Sequence, residues 1–527
     1  MAGIIAGAGC SRHETAVDRG DRLQILHIGN KDEPADLDPH INNADSTGTI
    51  LTSLFAGLVS LAGDGRTILP GIADQWAVSE DGLTYNFHIR KDARWSNGQP
   101  ITSKDFLDGF LRVLDPKLGC ETAGYAFPIH GARDFVEGRS ADPATVGLRA
   151  PGPDTFIVSL DYPAPWFLSV LTNYPFYPVY MPSLDAAGGR HQRGGAWERP
   201  GILVSDGPFT LAEWKPNAYV RVVRNPNYWD ASHVRLSEIW FHPTDDENTE
   251  EREFRSGQLH ITARLPKSKV DVYASEHPKE LHVVPSLRTS FLTFNVHRAP
   301  FDDSRVRRAF ALAIDRERMV RAALGRLGTP AYSLTRPGAG GYTMPNVFHY
   351  DPVEARSLLA GAGHAGGTGL GAVEFTLNGT TGVTLDLAAV LQQMWAENLG
   401  IHVSVLPVEF KVYLSTLREK QFQVLLDGWV SIDDPRDMAE LNLAGDPNND
   451  SGVDDAVANE AFAAADHAPN RQARQRAFEA LEARNESQAY YVPLYYFNHG
   501  FLVDRHVQGW TDNSLGRIAW RDLYLAP

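Results

Sequence analysis

Cysteine is nearly missing from this 527-residue chain: only Cys10 and Cys120 occur, so no disulfide framework staples the fold and a buried core has to stabilise it. Also missing, beyond the N-terminus, is any run of about eighteen apolar residues, the length needed to cross a bilayer. With 43% hydrophobic and 22% charged residues, the composition is that of a soluble globular body. Positive charge is in deficit, since 49 Lys and Arg stand against 65 Asp and Glu for a net charge of -16. A protein that grips phosphates is expected to carry a basic domain, so no nucleic-acid partner is expected. Catalytic signatures are absent as well: there is no GxSxG elbow, HExxH, CxxC, P-loop or kinase set, and the 18 histidines are scattered without metal-ligand spacing. Neither enzyme activity nor a metal or cofactor is expected.

What is present is length and pattern. The chain is too long for one ordinary core, so two or three lobes are expected. In DGLTYNFHIRKDARWSNGQPITSKDF (81 to 106), Tyr85, Phe87 and Ile89 alternate with Asn86, His88 and Arg90, which predicts a half-buried strand. Asn97-Gly98 supplies a turn, and a cap at Thr102 or Ser103 opens a helix with Phe106, Phe110 and Val113 on its apolar stripe. The basic residues of this strip are then its solvated face. Upstream, LQILHIGN (23 to 30) reads as a strand and TGTILTSLFAGLVSL has helical spacing. Downstream, DTFIVSL, VRVVRN, LSEIWFHP, LHVVPSL and SFLTFNV read as strands, whereas RVRRAFALAIDRERMVRAAL and DLAAVLQQMWAENLG read as helices.

Two motifs invite a chemical reading and two more modest ones fit better. Gly361, Gly363 and Gly366 have GxGxxG spacing, but a helix leads into them and a strand follows, the reverse of a dinucleotide site, so a helix end and loop is expected. Asp433 and Asp434 adjoin a tryptophan, yet neighbours on an extended segment point apart, which disfavours an acid-base pair. At the start, MAGIIAGAG before Cys10 and a polar stretch after it look like the end of a lipoprotein leader. Cys10 would then be the lipidated residue, and Cys120 would have no partner.

The stretch IADQWAVSEDGLTYNFHIRKDARWSNGQPITSKDFLDGFLRVLDP (72 to 116) resembles the signature of ABC-transporter solute-binding proteins of the oligopeptide-binding family. Six further stretches follow in the family's order: LDPH, SDGPFTLAEWKPNAYVRVVRNPNYWD, FRSGQLHIT, FDDSRVRRAFALAIDRERMV, LQQMWAENLGIHVSV and VPLYYFNHGFLV. The resemblance implies an α/β, periplasmic-binding-protein-like fold: two hinged lobes of mixed sheet and helices plus an extra inserted domain. Residues 1 to 20 would be leader and tether, 21 to 55 with 180 to 285 and 497 to 527 one lobe, 56 to 179 the inserted domain, and 286 to 496 the other lobe.

The resemblance also implies a function. The protein would capture periplasmic or extracellular oligopeptides by lobe closure and deliver them to ABC permease membrane subunits, working as a monomer and anchored through Cys10. A non-peptide ligand of the same fold, such as a glycan fragment, an opine-like conjugate or a metal chelate, is the alternative, and a lipoprotein enzyme stands behind it. Implied ligand-binding residues are Asn43, Tyr125, Phe410, Arg418, Trp429, Ser431 and Asp433. Gly428 and Trp429 match the family's Gly-Trp, but the aspartate that holds the peptide amine falls on Ser431 or Ile432, so that either Asp433 substitutes or the anchor is absent. Phe410 stands where a tryptophan is common, and a histidine position falls on Thr384. Basic residues that receive the peptide carboxylate fall on Leu417, Leu426 and Ala322, with Arg418 and Arg321 nearby.

Overall fold

A computed structural model describes residues 14 to 526 except 43, 340–342, 344–345, 380–381, 432–433 and 469. The chain forms two compact units: residues 1–282 with 500–527, and residues 283–499. It passes between them in two hydrogen-bonded neighbours, the strands Leu281–Phe294 and Tyr491–Leu502. Among the described residues no helix is long and apolar enough to cross a membrane.

The first unit holds two four-stranded sheets. One runs Ile25–Gly29, Glu238–His242, Tyr219–Arg224, Phe209–Lys215, with only the first pair parallel. The other is antiparallel throughout: Ala73–Val78, Thr84–Ile89, Thr155–Ser159, Leu148–Gly152. The aromatic strip belongs to this second sheet. Tyr85, Phe87, Trp95 and Phe106 are buried, and Phe110 packs on Phe156 with ring centres 5.4 Å apart. Gly98 takes φ +84° in the predicted turn, where a side chain would be strained. Asp105 Oδ2 accepts from the Thr102 N–H (2.7 Å) and hydroxyl (2.8 Å), opening the helix Ser103–Leu114. Arg90 lies 3.8 Å above the Trp229 ring, and Lys104 pairs with Asp108. The strip is scaffold.

In the second unit one six-stranded sheet runs Gly328–Pro330, Tyr491–Leu502, Leu281–Phe294, Val424–Val430, Val373–Asn378, Val403–Val408. The last three strands are mutually parallel, and Leu281–Phe294 is antiparallel to Val424–Val430. The helices Ser304–Leu312, Arg316–Ala323, Pro352–Gly361 and Val383–Leu399 pack on it around Phe310, Phe375 and Trp395.

Three local expectations are corrected. The helix expected over 47 to 61 is Asp45–Leu54 only, and Val59–Leu61 is a strand paired with Ile68–Pro70; β-branched Val59 suits that pairing and tertiary packing decides between the two periods. The segments around Pro285 and Phe291 form one continuous strand, Leu281–Phe294, with Pro285 exposed. The segment 305 to 324 is two helices, because Asp315 caps the second by accepting from Arg318 N (2.9 Å), and buried Arg316 donates to Pro493 O (2.8 Å). Gly361, Gly363 and Gly366 close the helix Pro352–Gly361 and precede the strand Val373–Asn378, the loop role the sequence implied.

Candidate functional site

In an open α/β sheet, ligands settle at the carboxyl ends of the parallel strands. Here those ends are residues near 378, 408 and 430. Val424–Val430 pairs with Val373–Asn378 only at Val424 and Leu425, while its antiparallel pairing to Leu281–Phe294 continues to Val430. From Leu426 onward its second side therefore has no strand partner among the described residues. Three backbone groups on this stretch already have side-chain partners: Leu426 O accepts from Tyr413 OH (3.0 Å), Asp427 O accepts from Ser290 Oγ (3.0 Å), and the Gly428 N–H donates to Asp427 Oδ1 (2.7 Å). Large apolar side chains remain exposed at the same end: Leu406, Phe410, Val412 and Val430. A strand edge without a neighbouring strand, beside apolar side chains, is a template for an added strand.

The charges around this end are acidic and partly neutralised. Burial raises the Asp427 carboxyl, against the bond it accepts from Gly428 N (2.7 Å), and Thr293 donates to its other oxygen at 3.4 Å. Asp450 is pushed up to about 7, first by burial and then by Asp427. Two carboxyls facing each other away from water cannot both ionise cheaply near neutrality. Burial also raises the Tyr413 phenol.

The structure places the sequence-predicted residues as follows. Trp429 is half-buried against Phe291, Leu334, Met438 and Tyr491, and its Nε1–H donates to Asp437 Oδ2 (3.0 Å). Ser431 is buried, with its N–H bonded to Leu287 O (3.1 Å). Phe410 opens the helix Phe410–Arg418 and is exposed, while Arg418 ends that helix and is exposed too. Tyr125 lies in the first unit, in the short 3-10 helix Ala123–Ala126, packed on the core that holds the aromatic strip. Asn43, Asp433 and Cys10 lie outside the described residues. Asp434 is structural: it caps the helix Pro435–Glu440 by accepting from Arg436 N (2.9 Å), and both its oxygens bind Arg474 (2.7 and 3.0 Å). Among the described residues, His349, Asp351 and Glu354 have ligand atoms near enough to share an ion. Asp351 is already the cap of the helix Pro352–Gly361, and Glu354 pairs with Arg308, so they form a surface cap cluster.

Comparison with known proteins decides the family. Residues 67–452 match the family described as bacterial extracellular solute-binding proteins, family 5. The chain belongs to that family. It is 30% identical over 515 residues to the periplasmic murein peptide-binding protein MppA of Escherichia coli, covering 95% of this chain and 93% of that one. It is 29% identical over 518 residues to the periplasmic oligopeptide-binding protein OppA of the same organism, covering 95% and 92%. A solved structure of the E. coli murein tripeptide-binding protein MppA superposes with TM-score 0.82 at 28% identity, covering 95% and 98%. Haemophilus influenzae OppA in complex with RPPGFSPFR superposes with TM-score 0.80 at 26% identity, covering 96% and 99%.

As a family 5 solute-binding protein the chain has the α/β fold of the periplasmic binding proteins, works outside the cytoplasm and belongs to a class of binding proteins. Its candidate site also uses residues that sequence reasoning missed: Asp427, Tyr413 and Asp437. Asp427 stands directly before the matched Gly428-Trp429, where a carboxylate in an otherwise apolar strand VLLDGWV was the available signal. Tyr413 and Asp437 gave none, because each finds its partner through a turn of chain.

Proposed function

We propose that this protein is the oligopeptide-capturing component of an ABC importer, closing its two units on the ligand and handing it to membrane permease subunits. The observation that carries the proposal is the open side of Leu426–Val430. A peptide backbone can add there as a strand whatever its side chains are, and exposed Phe410 and Val430 offer apolar surface beside it. The names of the relatives supply the ligand class, since MppA is named for murein peptide and OppA for oligopeptides.

Asp433 is the proposed partner of the peptide amine, the one carboxylate left by the shortened segment after Trp429. Losing a charge-assisted partner in a closed site leaves a buried charge, so Asp433→Asn should weaken free-amine peptides by about 2 kcal/mol, roughly thirtyfold, and N-acetylated ones far less. Calorimetric titration with both forms tests this, and equal loss for the two would assign Asp433 to loop structure. Small-angle scattering tests closure: compaction on adding a mixed peptide library is expected. No compaction and no heat with any peptide would move the ligand to another class, such as a glycan fragment, an opine-like conjugate or a metal chelate. Cys10 is proposed as a lipid anchor; Cys10→Ser expressed with its native leader should leave the membrane fraction, and retention there would refute the anchor.

A further inference from the structure

The strand Leu281–Phe294 carries an unpaired cation beside the open strand. Arg288 stands opposite Val430 and is exposed. Its backbone N–H donates to Ser286 Oγ (3.2 Å), but its guanidinium has no hydrogen-bond or ion-pair partner among the described residues. Its guanidinium lies against Gly428 of the neighbouring strand. A Cβ at that position would stand 3.2 Å from Thr289 O and 3.3 Å from Arg288 Nε, tight enough that its neighbours would have to give by a few tenths of an ångström. Gly428 belongs to the stretch Leu426–Val430 whose second side is open.

Among the described residues, no carboxylate is hydrogen-bonded to this guanidinium. Asp427, whose carboxyl feels the Arg288 charge, takes its hydrogen bonds from the Gly428 N–H and from Thr293 and not from Arg288. Tyr413 and Tyr495, which feel the same guanidinium, are buried phenols whose ionisation burial pushes up, so they remain neutral. A planar fork of donors with no hydrogen-bond partner among the described residues, next to an edge that suits a peptide, matches the geometry of a carboxylate.

We propose that Arg288 is the anchor for a ligand carboxylate: the free C-terminal carboxylate of a peptide lying along Leu426–Val430, with Gly428 keeping the space open. The proposal rests on the oligopeptide reading above. It also alters an expectation from the sequence, because the positions where relatives place their basic residues hold Leu417, Leu426 and Ala322, which left the carboxylate end without a partner. Arg288 supplies the charge from the adjoining strand instead.

The test uses the full chain and a tri- to pentapeptide library made twice, as free acids and as C-terminal amides, titrated against the unmodified protein, Arg288→Gln and Gly428→Ala. The unmodified protein should bind the acids about tenfold to a hundredfold more tightly than the amides, as expected of charge-assisted hydrogen bonds. Arg288→Gln should bring the acids down to the amide level and leave the amides unchanged. Gly428→Ala, which keeps the arginine but crowds it, should lose part of the preference. Equal affinity for acids and amides in the unmodified protein, or equal weakening of both by Arg288→Gln, overturns the anchor while leaving peptides as ligands. No binding of either library overturns the oligopeptide reading and the anchor with it.

Discussion

Neutralising Asp38 should destabilise the first unit more than any surface substitution could. Asp38 lies in the Leu37-Asp38-Pro39-His40 stretch and meets Arg112 from the helix Ser103–Leu114 in a fork: Nη1 to Oδ1 at 2.8 Å and Nη2 to Oδ2 at 2.5 Å. Both side chains are almost fully buried, at 1% and 0% exposure. Arg112 also donates through Nε to Arg190 O (2.7 Å), and Asp38 Oδ1 accepts from His40 N (3.0 Å). His40 Nε2 pairs with Tyr177 O at 2.8 Å, and its pKa is lowered to about 4 by burial and then by Arg112, so it stays neutral and offers no compensating charge. Asp38→Asn keeps the shape but aims an amide N–H₂ or a neutral oxygen at a guanidinium that cannot lose its proton. The expected cost is about 3–5 kcal/mol, that of stranding one partner of a buried pair. Urea titration followed by far-ultraviolet circular dichroism should show the midpoint of the first unit's transition falling by roughly 1–2 M at unchanged slope. Adding Arg112→Met should recover about 2 kcal/mol or more, because it removes the stranded charge. A loss below about 1 kcal/mol for Asp38→Asn, or strict additivity in the double variant, would refute this account of the pair.

Trp429→Phe should abolish most of any fluorescence change on peptide addition, because Trp429 is half-buried at the open strand end with its N–H fixed on Asp437; an unchanged signal places the reporter elsewhere. Arg474→Met leaves Asp434 buried without its bidentate partner, so thermal stability of the second unit should fall by about 3 kcal/mol, and a melting temperature unchanged by calorimetry would contradict it. Acid sensitivity follows from histidines that the fold keeps neutral: His27 is lowered from 6.5 to about 3 and His242 to about 4, both chiefly by burial. Below about pH 6.5 the unfolded chain takes up protons there while the folded chain does not, so stability is lost as pH falls toward 4, by about 1.4 kcal/mol per pH unit for each group. His242→Gln keeps a polar partner for His27 Nδ1, 3.1 Å away, and should flatten stability against pH between 6.5 and 4.5 by about one proton; an unchanged slope would exclude His242 as a source.

What the sequence determined by itself was whatever is encoded within one turn or one pleat. The alternation of Tyr85, Phe87 and Ile89, the Asn97-Gly98 turn and the Thr102–Asp105 box each close over a few residues, so their burial and bonding could be derived without knowing the rest of the chain. The same holds for the order of helix, glycines and strand around Gly361, which excludes a dinucleotide site by local order alone. Where two periods fit equally, as at Val59, or where one residue interrupts a pattern, as Asp315 does, packing and capping chose, and the sequence expectation failed there. The candidate site was legible in its Gly428-Trp429 landmark and not in its chemistry. Tertiary structure alone decided that Leu426–Val430 outruns its parallel neighbour, that Arg288 lies over Gly428 from another strand, and that Asp38 finds Arg112 in a helix far along the chain. The reason is physical: backbone satisfaction, desolvation and ion pairing depend on which groups share space, and residues distant in sequence carry no local signal of whom they will meet.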